Sequence, residues 1–206
     1  MTADARPGEA TPPAGGPLPA PAPVSARQTE RRVGHYVWLE RRRFEVLGRL
    51  AASVAEPEAK VLLATSARHH AWHACLWEAH LPRRSGPGTT GLVAPDDTGL
   101  AACLEAGGGH DAELTTIEGL TGAYRVVATR AISAYGRHLE RASAVSDAAL
   151  VRTCRLVLVD QLDDWREGEA LLQSLLTTAA AVDRAAAHQA RLEHLLAGST
   201  SGGADG

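Results

Sequence analysis

Where the prolines stand constrains this chain more than anything else in it. Seven of the eleven fall in residues 1 to 23, among Ala and Gly, and the other four, Pro57, Pro82, Pro87 and Pro95, lie where a helical pattern starts or stops. Proline removes a backbone donor and clashes with the preceding turn, so it marks the ends of helices rather than their interiors. Between the breaks, apolar residues recur with helical period over about 30–54, 57–81, 114–144 and 146–176. A further run over 179–197 either continues the fourth helix or forms a fifth. No alternating strand pattern competes, since 155-RLVLV-159 sits inside a longer helical run. The expected class is all-α.

The connections order these helices. Helices one and two are joined by two or three residues around Glu56, and helices three and four by a few around 143-SAVSD-147, where Ser146 or Asp147 can cap. Helices two and three are separated by about thirty Gly- and Pro-rich residues, with one short helix expected near 98-TGLAACLEA-106. A link of that length crosses the bundle, so helices two and three are expected to run parallel. Residues 1–28 and 198–206 lack the apolar content to order themselves and are expected to be disordered tails around a helical domain at 29–197.

Composition excludes more than it selects. A net charge of −3 gives no reason to expect nucleic acid or an anionic membrane as partner, and no apolar run reaches the length of a membrane span. The three cysteines, Cys75, Cys103 and Cys154, form no CxxC pair, which fits a reduced, cytoplasmic setting. No nucleophile elbow, phosphate-cradling loop or His-Glu-x-x-His is present.

What remains is a set of polar residues on faces that should be apolar. At about 100° per residue, Val33, Tyr36, Val37, Phe44, Leu47 and Ala51 form one stripe of helix one, with Glu40 at its centre. An unpaired carboxylate in a core costs several kcal/mol, so Glu40 requires a cation, a hydrogen-bond partner or a proton. Helix two, which carries the stretch 66-SARHHAWHACLWEAH-80, presents Leu62, Ser66, His69, His73, Leu76 and His80 on the inward stripe, with His70 turned about a quarter of the way round. Helix three turns Tyr124 and Tyr135 inward with His138 on the flank, and helix four carries Asp160, Asp164 and Glu167 on one edge. The run 41-RRR-43 spreads round its helix and reads as a solvated face.

Helix number, connectivity and inward carboxylate and imidazole groups over residues 30–176 resemble the ferritin-like superfamily, four-helix bundles with one long crossover. The resemblance implies a metal in the core, iron or manganese, with Glu40, His69, His73, His138, Asp160 and Asp164 as the candidate ligands. Tyr124 and Tyr135 would then border the reacting oxygen in oxidase- or oxygenase-type chemistry. Dinuclear members carry Glu on two helices and Glu-x-x-His on the other two. Here Glu40 alone matches by place and kind; helix two offers His70-x-x-His73 and His69-x-x-x-His73 instead, helix three Tyr135-x-x-His138 and helix four Asp160-x-x-Asp163. The other reading is a metal-free bundle whose polar core fixes helix register and whose surface or termini bind a protein partner. Positions such as Leu172, Leu176, Leu192 and Leu195 either extend the core or form a homodimer contact. The sequence names no small-molecule substrate.

Overall fold

The computed structural model describes residues 25–82, 91–108, 114–143 and 145–198. Among them the chain is all-helical, with no strand and no helix long and apolar enough to cross a membrane. The expected tails at 1–28 and 198–206 lie outside the described residues except at their inner ends, and so do residues 83–90 and 109–113 of the long link.

Helix α1 (Ala26–Ser53) begins four residues before the periodic pattern does. Ser25 and Gln28 form a reciprocal capping box that satisfies the first free N–H groups. Helix α2 (Pro57–Glu78) starts on Pro57, whose missing N–H costs nothing in a first turn. The link then forms α3 (Thr98–Gly107), capped by the Asp97 carboxylate, which accepts from Gly99 N at 2.8 Å and Leu100 N at 3.2 Å. The third long rod is one run in three parts: α4 (Thr116–Leu120) behind a Thr115–Glu118 capping box, a π-helical segment (Thr121–Ala128), and α5 (Thr129–Arg141). Helices α6 (Ala148–Leu175) and α7 (Ala179–Gly198) complete the order, so the run after residue 179 is a separate fifth helix. Asp147 stands at the N-cap of α6 without a side-chain capping bond; its carboxylate accepts from Ser143 N in the preceding turn instead.

Cross-helix contacts fix the directions. Tyr36 meets Trp77 and Glu40 meets His70, so α1 and α2 are antiparallel. Ser66 meets Tyr124 and Trp77 stacks on Tyr135, so the third rod runs parallel to α2. His69, His73 and His80 meet Asp164, Asp160 and Thr153 in that order, so α6 opposes α2. Helix α7 packs on α3, α4 and the π-helical segment.

Two glycines allow close approaches. A Cβ on Gly34 would lie 2.0 Å from Leu92 O, where the link passes over α1, and one on Gly168 would lie 2.3 Å from the Tyr124 ring. The second contact seats Tyr124 inside the π-helical segment, where Thr121 and Thr129 hydroxyls bond back to Ile117 O and Arg125 O.

The core departs from the expected stripes in rotation. Phe44 is exposed and Arg43 is buried, because α1 turns Glu40, Arg43, Leu47 and Leu50 inward. The 41-RRR-43 face is therefore solvated only in part. In α2 the buried set is Ala59, Leu63, Ser66, Ala67, His70, His73, Ala74 and Trp77, so Trp72 faces out and His70 takes the inward position expected for His69.

Candidate metal centre

At mid-height Glu40, His70 and His73 each bring one ligand-type atom within 4.8 Å of the others, and all three side chains are buried. Glu40 comes from the middle of α1, and the two imidazoles are one turn apart on α2.

The two Glu40 oxygens face different partners. Oε1 accepts from the Tyr135 hydroxyl at 2.5 Å and the Gln161 amide at 3.3 Å. Oε2 lies 2.6 Å from His70 Nδ1 and 3.4 Å from His73 Nδ1. On its far side His73 Nε2 meets Asp160 Oδ2 at 2.9 Å, and Asp160 reaches partly into solvent. Arg43 donates to Gln161 Oε1 at 2.5 Å and stands 4.0 Å from Glu40 Oε1. His73 Nδ1 and His70 Nε2 are buried without a hydrogen-bond partner.

Electrostatics follow from this packing. Burial works against ionising Glu40, but His70, His73 and Arg43 outweigh it and hold the carboxyl well below its usual range. Burial, reinforced by Arg43, pushes the His70 imidazole down to about 4, so it is neutral at pH 7 and donates to Glu40. His73 is also penalised by burial, but its contacts with Glu40 and Asp160 raise it above the usual value. Burial and the Glu40 charge keep Tyr135 protonated.

The remaining expected ligands divide. Asp160 joins through His73. His69 and Asp164 form their own pair, with Nδ1 at 3.0 and 3.1 Å from the two carboxylate oxygens, beside the centre rather than in it. His138 is one turn beyond Tyr135 and bonds the Tyr36 hydroxyl at 3.1 Å, away from Glu40. Tyr124 bonds Ser66 Oγ at 3.0 Å, while Tyr135 touches Glu40 directly. Two members of the network, Gln161 and Arg43, carry no ligand expectation from the sequence, and His70 enters there only through the pair His70-x-x-His73, outside the candidate ligand set. Gln161 had a legible signal, since Cys154, Val157, Gln161, Asp164, Gly168 and Leu172 are all buried and follow three- and four-residue steps.

Chemically, one carboxylate and two imidazoles are the donor set of a mononuclear transition-metal site. Asp160 behind His73 is the kind of outer carboxylate that fixes a ligating imidazole's tautomer and aim. Three carboxylates, Glu40, Asp160 and Asp164, stand against the single Arg43 guanidinium. When all are ionised, two negative charges remain, which a divalent ion would balance. Glu40 and His73 are 0% exposed, so the centre is shut off from bulk solvent. Comparison with protein-family models, curated proteins and solved structures finds no match to this chain.

Proposed function

We propose that this chain is a ferritin-like helical bundle that holds one divalent transition-metal ion, iron or manganese, between Glu40, His70 and His73. The observation that carries the reading is the division of labour at Glu40. Tyr135 and Gln161 occupy and orient Oε1, while Oε2 and the unpartnered His73 Nδ1 face one another with His73 braced from behind by Asp160. A metal that took up these donors would give a bonding partner to the buried His73 Nδ1, which stands 3.4 Å from Glu40 Oε2 without a hydrogen bond.

The ferritin-like part rests on direction: an antiparallel pair, a long link, and a second antiparallel pair whose first rod is parallel to α2. Against the family's pattern, Glu40 keeps its place, His70-x-x-His73 stands for one Glu-x-x-His, Gln161-x-x-Asp164 for the other, and Tyr135 for the remaining Glu. The loss of three carboxylates supports one ion rather than two. Burial of the centre supports small-molecule redox or structural roles over chemistry on an organic substrate.

The test is elemental analysis of the full chain purified without a polyhistidine tag after growth with added iron and manganese. About one iron or manganese per chain, lost in Glu40→Ala and in His73→Ala, is the expected result. Stoichiometric zinc would keep the site and remove the redox role. No metal in the wild type, together with a Glu40→Gln variant of nearly unchanged stability, would overturn the reading in favour of a metal-free polar core.

A further inference from the structure

At the end of the bundle beyond Tyr135, a cavity of about 200 Å³ lies between the first turns of α1 and the last turns of α5. Arg32, Arg137 and Arg141 line it together with His35, His138 and Tyr36. None of the three guanidiniums makes an ion pair among the described residues. Arg137 and Arg141 are one turn apart on the same helix, a like-charge spacing that costs stability unless something neutralises it. Asp96 is the acidic residue of the lining, and its backbone N–H donates to His35 Nδ1 at 3.0 Å.

Burial holds both imidazoles below their usual value. With Nδ1 accepting from Asp96 N, neutral His35 carries its hydrogen on Nε2. Burial keeps the Tyr36 hydroxyl protonated, and it shares a hydrogen bond of 3.1 Å with His138 Nδ1; in the tautomer where Tyr36 donates, His138 carries Nε2–H. Burial, and then the Arg32 charge, hold His138 below the usual imidazole value, as expected where positive charge is in excess.

We propose that this cavity binds a phosphate-sized oxyanion, held by Arg32, Arg137 and Arg141 with the imidazole N–H groups of His35 and His138 as further donors. Guanidinium forks match the paired oxygens of a phosphoryl group, and three of them outnumber Asp96, the carboxylate of the lining, while Asp97 and Asp147 act on His35 and His138 from outside it. The volume is below the roughly 300 Å³ at which drug-sized ligand pockets begin, so the site fits a phosphate or the phosphoryl end of a small molecule rather than a nucleotide. The proposal does not depend on the metal.

The experiment is isothermal titration calorimetry of the full chain at constant ionic strength, after dialysis against EDTA so that no metal can hold the anion. The probes are inorganic phosphate and glycerol 3-phosphate. Saturable one-to-one binding is expected in the wild type. Arg32→Gln and Arg137→Gln should each weaken it at least tenfold, while Arg166→Gln, whose partner is Asp163, should leave it unchanged. Arg137 is exposed on α5, so its variant tests the site without disturbing the core. Tighter binding of the ester would assign the site to a phosphorylated small molecule, and equal or weaker binding to free phosphate. No saturable heat with either probe, or the same affinity in Arg137→Gln as in wild type, would overturn the proposal and leave the arginines as counter-charges to the end of the helix.

Discussion

The mid-height centre and the end cavity are built from similar residue types with opposite charge balance. At the centre, carboxylates outnumber the one guanidinium and every group but Asp160 is buried, so the buried ones must be satisfied by their neighbours. At the end cavity, three guanidiniums face one carboxylate and two of them are exposed to solvent. The two regions meet through aromatic rings: Tyr36, bonded to His138 in the cavity, has its ring centroid 4.7 Å from that of Tyr135, which bonds Glu40. The lesson is that burial decides the cost of a charge. The centre should be sensitive to any single change, while the cavity should tolerate changes to its charges without unfolding.

The largest effect is expected from Glu40→Ala, which strips a buried anion from Arg43, Gln161, Tyr135 and both imidazoles. A loss of about 3–5 kcal/mol is expected by denaturant melts, against under about 0.5 kcal/mol for Arg137→Gln. Comparable losses at the two positions would erase the contrast. Glycines carry the same comparison into packing. Gly168→Ala drives a methyl into the Tyr124 ring at 2.3 Å and should cost about 1–3 kcal/mol. Gly136 on α5 has nothing within 4 Å of an added Cβ, so Gly136→Ala should stabilise by about 0.5–1 kcal/mol through helix propensity.

Acid titration sharpens the comparison further. His70 stays neutral in the fold down to about pH 4, whereas in the unfolded chain it protonates near 6.5. The unfolded state therefore binds more protons in that window, and the His70 contribution is present above pH 6.5 and lost as pH falls towards 4. His73, with its raised value, acts in the opposite sense, so its contribution is present below 6.5 and lost as pH rises through the folded value. Stability curves of wild type and His70→Gln isolate the first term. The wild type should fall more steeply on acidification, by on the order of 1 kcal/mol per pH unit, and parallel curves would show that His70 is already charged in the fold. The smallest effect expected at the centre is Glu40→Gln, at about 1 kcal/mol in metal-free protein, because the amide keeps hydrogen-bonding capacity while shedding the charge.

Much of the fold was legible before any coordinate. The expected short helix near 98–106 is α3 at Thr98–Gly107, and the breaks at Glu56 and at 143–147 fall between observed helices, because proline and capping residues act locally. Glu40 was legible as a core carboxylate because α1 has one clear apolar stripe. The candidate ligands on α2 were legible only as a group. Its helix carries Ala, Leu, His and Trp around most of its circumference, so periodicity does not choose a rotation, and a shift of one residue exchanges His69 for His70.

The sequence by itself determined the order of the first four helices, the breaks between them and that a carboxylate and several imidazoles would lie at mid-height, since backbone sterics, caps and amphipathic spacing all act within a few residues. Only the tertiary structure decided which imidazole meets Glu40, that Gln161 and Arg43 close the network from 121 and three residues away, and that His138 serves Tyr36 and the end cavity instead. Those choices depend on how each helix rotates against three neighbours at once, and the energy that sets the rotation is the pairing of buried polar groups far apart in the chain.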